Sequence, residues 1–282
     1  MKRNIYFFTF TCILGLWGSS VAFAQEEEDN RPIRPPFGSE ILIDNQTTVN
    51  PSKGGFAMEI QHRFSKIEKI DNIFGIYGSA NTRIGFTYGV TDWAMVGIGT
   101  TRDYMLQDLN WKFRILTQTR SGKIPLSLSY FGNAVLDARP DENFGPTENY
   151  KFIHRLSYLN QLIVSRAFGN KVSLQIAPTL VYQNSVPEGF RNANASIYAG
   201  GRFQVLGFHS IILEYNQPIL KADEDVHPNL AAGVEIGTST HSFRIFVTNY
   251  NSIMLNRSIA FNQNNFFDGD IMVGFNITVR FR

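Results

Sequence analysis

The sequence predicts an all-β protein, an antiparallel up-and-down transmembrane β-barrel of about 12 strands. Three observations carry the prediction. The closing segment, Gly269 to Arg282, alternates strictly: Ile271, Val273, Phe275, Ile277, Val279 and Phe281 share one face, and Asp270, Met272, Gly274, Asn276, Thr278 and Arg280 share the other. Similar segments recur along the chain, joined by connections that alternate between long and short. Charge within these segments is confined to the face opposite the apolar one.

The chain opens with Lys2 and Arg3, an apolar stretch from Ile5 to Leu16, and an A-x-A site at Ala22-Phe23-Ala24, so residues 1–24 read as a signal peptide. The apolar stretch is shorter than the roughly 20 residues of a spanning helix. Thr9-Phe10-Thr11 before Cys12 lacks the leucine and small residue of a lipidation signal. Removing this peptide takes two of the 26 basic residues and none of the 24 acidic ones, leaving a formally neutral chain. A basic balance that belongs to the export signal gives no reason to expect a nucleic-acid partner. Cys12 is the one cysteine, so the mature chain has no disulfide, no Cys-ligated metal and no thiol nucleophile.

Residues 25–53, with Glu26-Glu27-Glu28-Asp29 followed by Pro32, Pro35 and Pro36, read as a flexible periplasmic leader. Residues 54–282 read as the barrel. Its strands fall at about 55–64, 80–90, 93–101, 108–117, 124–134, 151–165, 171–183, 194–205, 209–217, 229–238, 241–250 and 269–282. The connections after odd strands are long. Those after even strands are tight by composition, at Thr91-Asp92, Ser121-Gly122, Gly169-Asn170, Leu206-Gly207-Phe208 and Ser239-Thr240. Long loops on one rim, short turns on the other and both termini at the short-turn rim are the plan of a bacterial outer-membrane barrel.

The apolar faces include Met58, Ile60, His62, Ile84, Phe86, Leu109, Trp111, Ile176, Leu180, Ile211, Leu213, Val234, Ile236, Ile245 and Val247, without one Asp, Glu, Lys or Arg. In lipid a Lys or Arg there would cost roughly 2–4 kcal/mol at mid-depth. A secreted β-sandwich also alternates, but its wet faces are rich in Lys and Glu. Here only 18% of residues are charged, and the polar faces use Gly, Ser, Thr, Asn and Gln. The strands are also longer than the 5 or 6 residues or so typical of globular sheets.

Certain motifs carry a resemblance: His62-Arg63-Phe64, Arg83-Ile84-Gly85, Tyr88-Gly89-Val90-Thr91-Asp92, Val96-Gly97-Ile98-Gly99, Pro178-Thr179-Leu180, Val186-Pro187-Glu188-Gly189, Thr248-Asn249, Gly269-Asp270-Ile271 and Gly274-Phe275-Asn276-Ile277. From about residue 54 to its end the chain resembles a Bacteroidota family of exported outer-membrane β-barrel proteins, a domain of unknown function. The motifs are turns and strand patterns, so the resemblance implies location and architecture and assigns no catalytic residue. It departs at Arg282, where such strands commonly finish on an aromatic and engage the barrel-assembly machinery; here Phe281 is penultimate.

The inward positions carry the lumen-lining candidates Arg63, Arg83, Lys112, Arg114, Arg155, Arg202, Glu214, Glu235, Arg244 and Arg280. Bases outnumber acids, so an open lumen would be a narrow pore or passive transporter with a mild anion preference. Twelve strands lie between filled 8-stranded barrels and open porins of about 16 strands or more. A filled barrel, its charges paired across strands, therefore stays open as the alternative, serving as a structural or partner-binding scaffold through loops 65–79, 135–150 and 251–268. Loop 251–268, rich in Asn with Phe261, Phe266 and Phe267, is the best surface for such a partner. A two-residue turn at Ser239-Thr240 puts Glu235 opposite Arg244 and predicts a lumenal ion pair.

A lipid-modifying enzyme is the remaining class. His209-Ser210 and His241-Ser242 set a base beside a hydroxyl, but adjacent strand residues face opposite ways. His227 beside Asp223, Glu224 and Asp225 could hold a weak cation or simply be solvated. No spacing of His, Cys and carboxylates matches a transition-metal site, and no phosphate-cradling glycine loop is present. The sequence therefore calls for no enzyme, no metal and no cofactor.

Overall fold

A computed structural model of the chain describes residues 28–281 except 69–74, 145–148, 221 and 223. The expected signal peptide, Asp223 and Arg282 lie outside the described residues. Twelve strands form one closed barrel: β1 (Phe56–Lys66), β2 (Asn81–Gly89), β3 (Ala94–Thr101), β4 (Leu106–Leu116), β5 (Ser127–Asp137), β6 (Leu156–Phe168), β7 (Val172–Gln183), β8 (Ala193–Leu206), β9 (His209–Pro218), β10 (Asn229–Gly237), β11 (His241–Thr248) and β12 (Met272–Phe281). Each strand pairs antiparallel with its neighbours in sequence, and β1 closes on β12 with Phe56 opposite Phe281 and Ile60 opposite Ile277. Closure satisfies every edge, which hydrocarbon demands because it offers no hydrogen-bonding partner.

The alternation read from the sequence is the alternation of the wall. Along β9, Ile211, Leu213 and Tyr215 are exposed while Ser210, Ile212, Glu214 and Asn216 are buried. The outward faces carry charge only at their ends: Lys66 pairs with Asp270, and the Arg166 guanidinium lies 5.2 Å over Phe168. Tight turns gather at one rim, with Gly122 (φ 79°) and Gly169 (φ 65°) in left-handed geometry that a side chain would strain. At the Thr91-Asp92 turn the Thr91 hydroxyl accepts from the Ala94 amide at 3.0 Å.

Three strand starts fall at least three residues later than read, among them β12, which begins at Met272 rather than Gly269. The fifth strand starts three residues later than read, because Ile124-Pro125 closes the turn with the Ile124 amide bonded to Thr119 Oγ1. The sixth begins at Leu156, because the apolar Phe152-Ile153 that looked like strand forms a 3-10 turn over Phe152–Arg155.

The leader differs more. Residues 31–33 do lie at the short-turn rim, where Pro32 pairs with Thr119. The segment from Phe37 to Thr48 is instead folded inside the barrel, nearly all of it buried. The expectation of a flexible periplasmic leader over 25–53 fails there: Pro35 and Pro36 end the extended stretch, and the apolar triplet Ile41-Leu42-Ile43 gains burial within the wall.

Candidate functional site: a hairpin in a charged lumen

Residues 40–47 form a small hairpin. Ile41 bridges Gln46, the Thr47 amide donates to Glu40 O at 2.8 Å, and the Leu42 amide donates to Asn45 O at 2.9 Å. Below it, the Thr47 hydroxyl donates to Ser39 O at 2.7 Å. Phe37, Leu42 and Ile43 pack against Ile212, Ala231, Phe246 and Tyr250 from the far half of the wall.

The polar half of the lumen grips the hairpin backbone. At the tip, the Glu214 carboxylate on β9 accepts from the amides of Ile43 at 2.8 Å, Asp44 at 3.2 Å and Asn45 at 3.2 Å, and from the Asn45 side chain at 2.9 Å. Arg63 on β1 donates to Asp44 at 2.5 Å and to Asn276 Oδ1 at 3.0 Å, with its guanidinium 4.3 Å over the Phe246 ring. Gln61 donates to the same Asp44 oxygen at 2.9 Å. Lys112 on β4 reaches Gln46 Oε1 at 3.0 Å and Thr47 O at 2.9 Å, Gln175 on β7 donates to Gln46 O at 2.9 Å, and Asn276 on β12 donates to Ile43 O at 2.5 Å. Both members of the Arg63–Asp44 pair are fully shielded, at 0% side-chain exposure. A desolvated pair of this kind persists only where each charge finds its partner.

Of the ten lumen-lining candidates, Arg63, Arg83, Lys112, Glu214, Glu235 and Arg244 lie buried along the lumen. Arg202 is half-buried and pairs with Glu235 at 2.7 Å. Arg280 sits at the short-turn rim, donates to Gly38 O and lies 3.6 Å from Glu40. Arg114 and Arg155 belong to the rims rather than the lumen. Arg114 donates to Asp92 O in the β2–β3 turn, and Arg155 ends the 3-10 turn at the opposite mouth, bound to Asp141, Tyr150 and backbone carbonyls.

The predicted register holds, with Glu235 directly opposite Arg244, yet the predicted ion pair is not made. Arg244 instead reaches Glu59 at 3.1 Å over β12, and Glu235 takes Arg202 over β9. Arg83 likewise crosses β3 to Asp108 at 2.8 Å. The physical reason is reach: two extended side chains span two inter-strand spacings of about 4.8 Å each, whereas direct neighbours are too close for both to extend. For the Arg83–Asp108 pair the crossed position is a glycine. A Cβ at Gly99 on β3 would lie 2.4 Å from Arg83 Nη2 and 2.5 Å from Asp108 Oδ1.

The lumen is also filled from its other end. Loop 251–268, expected to meet a surface partner, turns inward as α1 (Leu255–Phe261), burying Leu255, Asn256, Ser258, Ile259 and Ala260. Leu255 and Ile259 join Phe131, Leu159, Ile163, Ala177, Val181 and Tyr198, and Gln183 donates to Asn256 O at 2.7 Å. The correction follows from the wall: β6 and β7 carry apolar residues inward at Leu159, Ile163, Ala177 and Val181, a patch that the loop must cover. A cavity of about 40 Å³ remains between hairpin and helix, bordered by Asp44, Gln61, Asp108 and Leu255. Above α1 lies an open vestibule of about 510 Å³ containing Arg139, Arg155 and Arg257. Burial holds the Arg257 guanidinium below its ordinary pKa, and its face stacks 3.4 Å from the Tyr104 ring. Tyr104 and its neighbour Met105 both adopt left-handed backbone, at φ 57° and 49°.

His209 and His241 point away from the buried Ser210 and Ser242, as strand geometry requires. His62 faces outward and stacks on Phe275 at 4.9 Å. Among the described residues, no group of three His, Cys, Asp or Glu is placed to hold a metal. Sequence reasoning missed the residues that matter most here, Glu40, Asp44 and Gln46. The available signal was Ile41-Leu42-Ile43 running into Asp44-Asn45, a short apolar strand meeting turn residues.

A family model described as a membrane-bound β-barrel domain (DUF5777) matches residues 37–281. The chain belongs to this family. The match begins at Phe37, so it takes in the internal hairpin as well as the wall. Among solved structures, the KdgM porin is similar at 6% identity and a TM-score of 0.46, over 80% of this chain and 98% of that one. An outer membrane channel from Pseudomonas putida F1 is similar at 11% identity and a TM-score of 0.45, over 82% and 96%. LpxR from Salmonella typhimurium follows at 11% identity and a TM-score of 0.38, over 81% and 99%. No curated protein matches the sequence.

Proposed function

We propose that this protein is an outer-membrane barrel sealed at rest by its own N-terminal hairpin, and that small solutes, anions in preference, pass only when the hairpin leaves. One observation carries the reading. On the inward faces of the strands the wall has six bases (Arg63, Arg83, Lys112, Arg202, Arg244, Arg280) against five acids (Glu59, Asp108, Asp137, Glu214, Glu235), and the hairpin supplies Glu40 and Asp44, which face Arg280 and Arg63 and more than offset the excess. With the hairpin out, the wall is net positive and hydratable. A permanently filled interior would be no less stable with apolar residues in place of these charges, so their retention supports a lumen that water enters.

On this reading the chain is exported by residues 1–24, its short-turn rim faces the periplasm and β12 engages the barrel-assembly machinery. It acts without metal, cofactor or catalysis. The anion preference belongs to the unplugged state alone.

The second reading, a permanently filled scaffold, is favoured by the apolar seam between α1 and β6–β7. Planar-bilayer recording separates the two. The full mature chain is silent in both. Deleting residues 37–48 yields stepwise anion-selective currents if the hairpin is the seal, whereas silence from the inserted, heat-modifiable deletion variant sinks the proposal. Asp44→Asn is the companion variant that keeps the chain length.

A further inference from the structure

The two rims differ sharply in charge. Along the short-turn rim, residues 28–36, 53, 92, 114–123, 166–171 and 280 carry nine Lys and Arg against three acids. The described residues of the opposite rim, within 66–80, 102–105, 137–155, 184–192, 219–228 and 249–271, carry seven against ten. The excess at the short-turn rim is concentrated. An open basin of about 830 Å³ lies there between the leader, the β4–β5 turn and the β6–β7 turn, with Arg34, Arg120 and Arg202 in its lining and no Asp or Glu. Lys123 and Lys171 stand exposed on the same two turns, and Arg166 lies beside them.

Not all of this charge is free. Asp29 holds Arg31 at 2.7 Å and Arg120 at 3.4 Å, and Glu235 holds Arg202. Arg34, Lys123 and Lys171 make no ion pair among the described residues. The basin also lies at the apolar boundary. Phe208, 70% exposed, and Phe168, 51% exposed, stand on the neighbouring turns, and the Arg166 guanidinium lies 5.2 Å over the Phe168 ring. Long basic side chains that lie on apolar surface and end at the boundary meet headgroups there.

We infer that the basic short-turn rim around Lys123, Arg166 and Lys171, with Arg34 in the basin behind, docks the anionic phospholipid headgroups of the adjoining leaflet. Phosphate diesters at that depth meet unpaired ammonium and guanidinium groups, while the acidic opposite rim disfavours them. The outward-facing part of the site, Lys123, Arg166 and Lys171, stands on the turns outside the lumen and does not depend on whether the hairpin moves.

The test uses the refolded mature chain in phosphatidylcholine vesicles containing spin-labelled phosphatidylglycerol or spin-labelled phosphatidylcholine, with relative association read from the motionally restricted signal. The wild type favours phosphatidylglycerol about fivefold or more, as each basic group near the surface contributes about that factor. The preference shrinks toward unity in high salt and in the triple variant Lys123→Gln, Arg166→Gln, Lys171→Gln. The single variant Lys171→Gln, which cannot disturb the wall, loses a measurable part. Equal association of the two lipids with the wild type overturns the inference. So does a preference untouched by the triple variant, or abolished equally by Arg102→Gln with Lys151→Gln on the opposite rim. Binding of a soluble polyanion to the basin without lipid preference also overturns it and assigns the rim to a macromolecular partner.

Discussion

Replacing Asp44 with Asn removes one charge from the most buried ion pair in the barrel and almost nothing else. The carboxamide keeps the shape of the side chain and can still accept from Gln61 through its oxygen, at the present 2.9 Å. Arg63 is left at 0% exposure with no anionic partner among the described residues, only the same amide oxygen, Asn276 Oδ1, the His62 carbonyl and the Phe246 ring. Breaking a buried pair by removing one partner costs about 3–5 kcal/mol, and the surviving neutral contacts place this case at the low end, about 3 kcal/mol. The penalty falls only on the state in which the hairpin is seated, because an unseated hairpin lets water reach Arg63. At about 1.4 kcal/mol per tenfold, the unseated population rises roughly a hundredfold. Two assays read it: open probability in planar bilayers, and the labelling rate of a cysteine placed at Thr48, which now bonds Ser165 Oγ at 2.7 Å inside the wall. Adding Arg63→Met to Asp44→Asn removes both charges and restores slow labelling. The reasoning is refuted if Asp44→Asn labels no faster than the Thr48→Cys parent, or if the double variant labels as fast as the single.

Glu214→Gln replaces one acceptor oxygen by an NH2 donor that faces other donors at the hairpin tip, and loses at least one charge-assisted bond of about 1.5–3 kcal/mol; protease cleavage within residues 40–47 should accelerate accordingly. Gly99→Leu drives a side chain into the Arg83–Asp108 bridge and should lower stability against denaturant by about 1–3 kcal/mol, with Gly99→Ala intermediate. Ile245→Lys, on the outward face of β11 and 54% exposed, should cost about 2–4 kcal/mol in lipid vesicles; a cost near zero would mean water bathes that face. The Lys66 ammonium and the Asn265 amide hold the Asp270 carboxyl below its ordinary value of 3.8. The folded pKa is depressed, so this contribution is fully present above about pH 3.8 and is lost as pH falls through the folded value. Amide exchange in 265–271 should therefore accelerate below that pH in the wild type and at every pH in Asp270→Asn.

The wall was readable because its physics is local. A period of two, a lipid-facing side that excludes charge, and turn residues such as Gly122 and Gly169 are all properties of neighbouring residues. The start of β6 was misplaced because Phe152 and Ile153 are apolar for a reason unrelated to strand pairing. The lumen pairs were half readable. Register follows from the Ser239-Thr240 turn, so Glu235 and Arg244 do face each other, but the partner each selects depends on side-chain length and on the residue of the strand between. The hairpin was not readable at all as a plug. Its partners lie at Gln61, Lys112, Gln175, Glu214 and Asn276, and only barrel closure brings these within reach of Asp44 and Gln46.

That dependence sets an order of events. The hairpin emerges before any strand, yet its seat is assembled from β1, β4, β7, β9 and β12, the first and last strands included. It has nowhere to dock until β12 zips onto β1, so the earliest part of the polypeptide to arrive is among the last to come to rest. Docking thus reports that the ring is complete: a barrel stalled one strand short would hold its N-terminal segment loose, open to proteases, while a finished one would hide it.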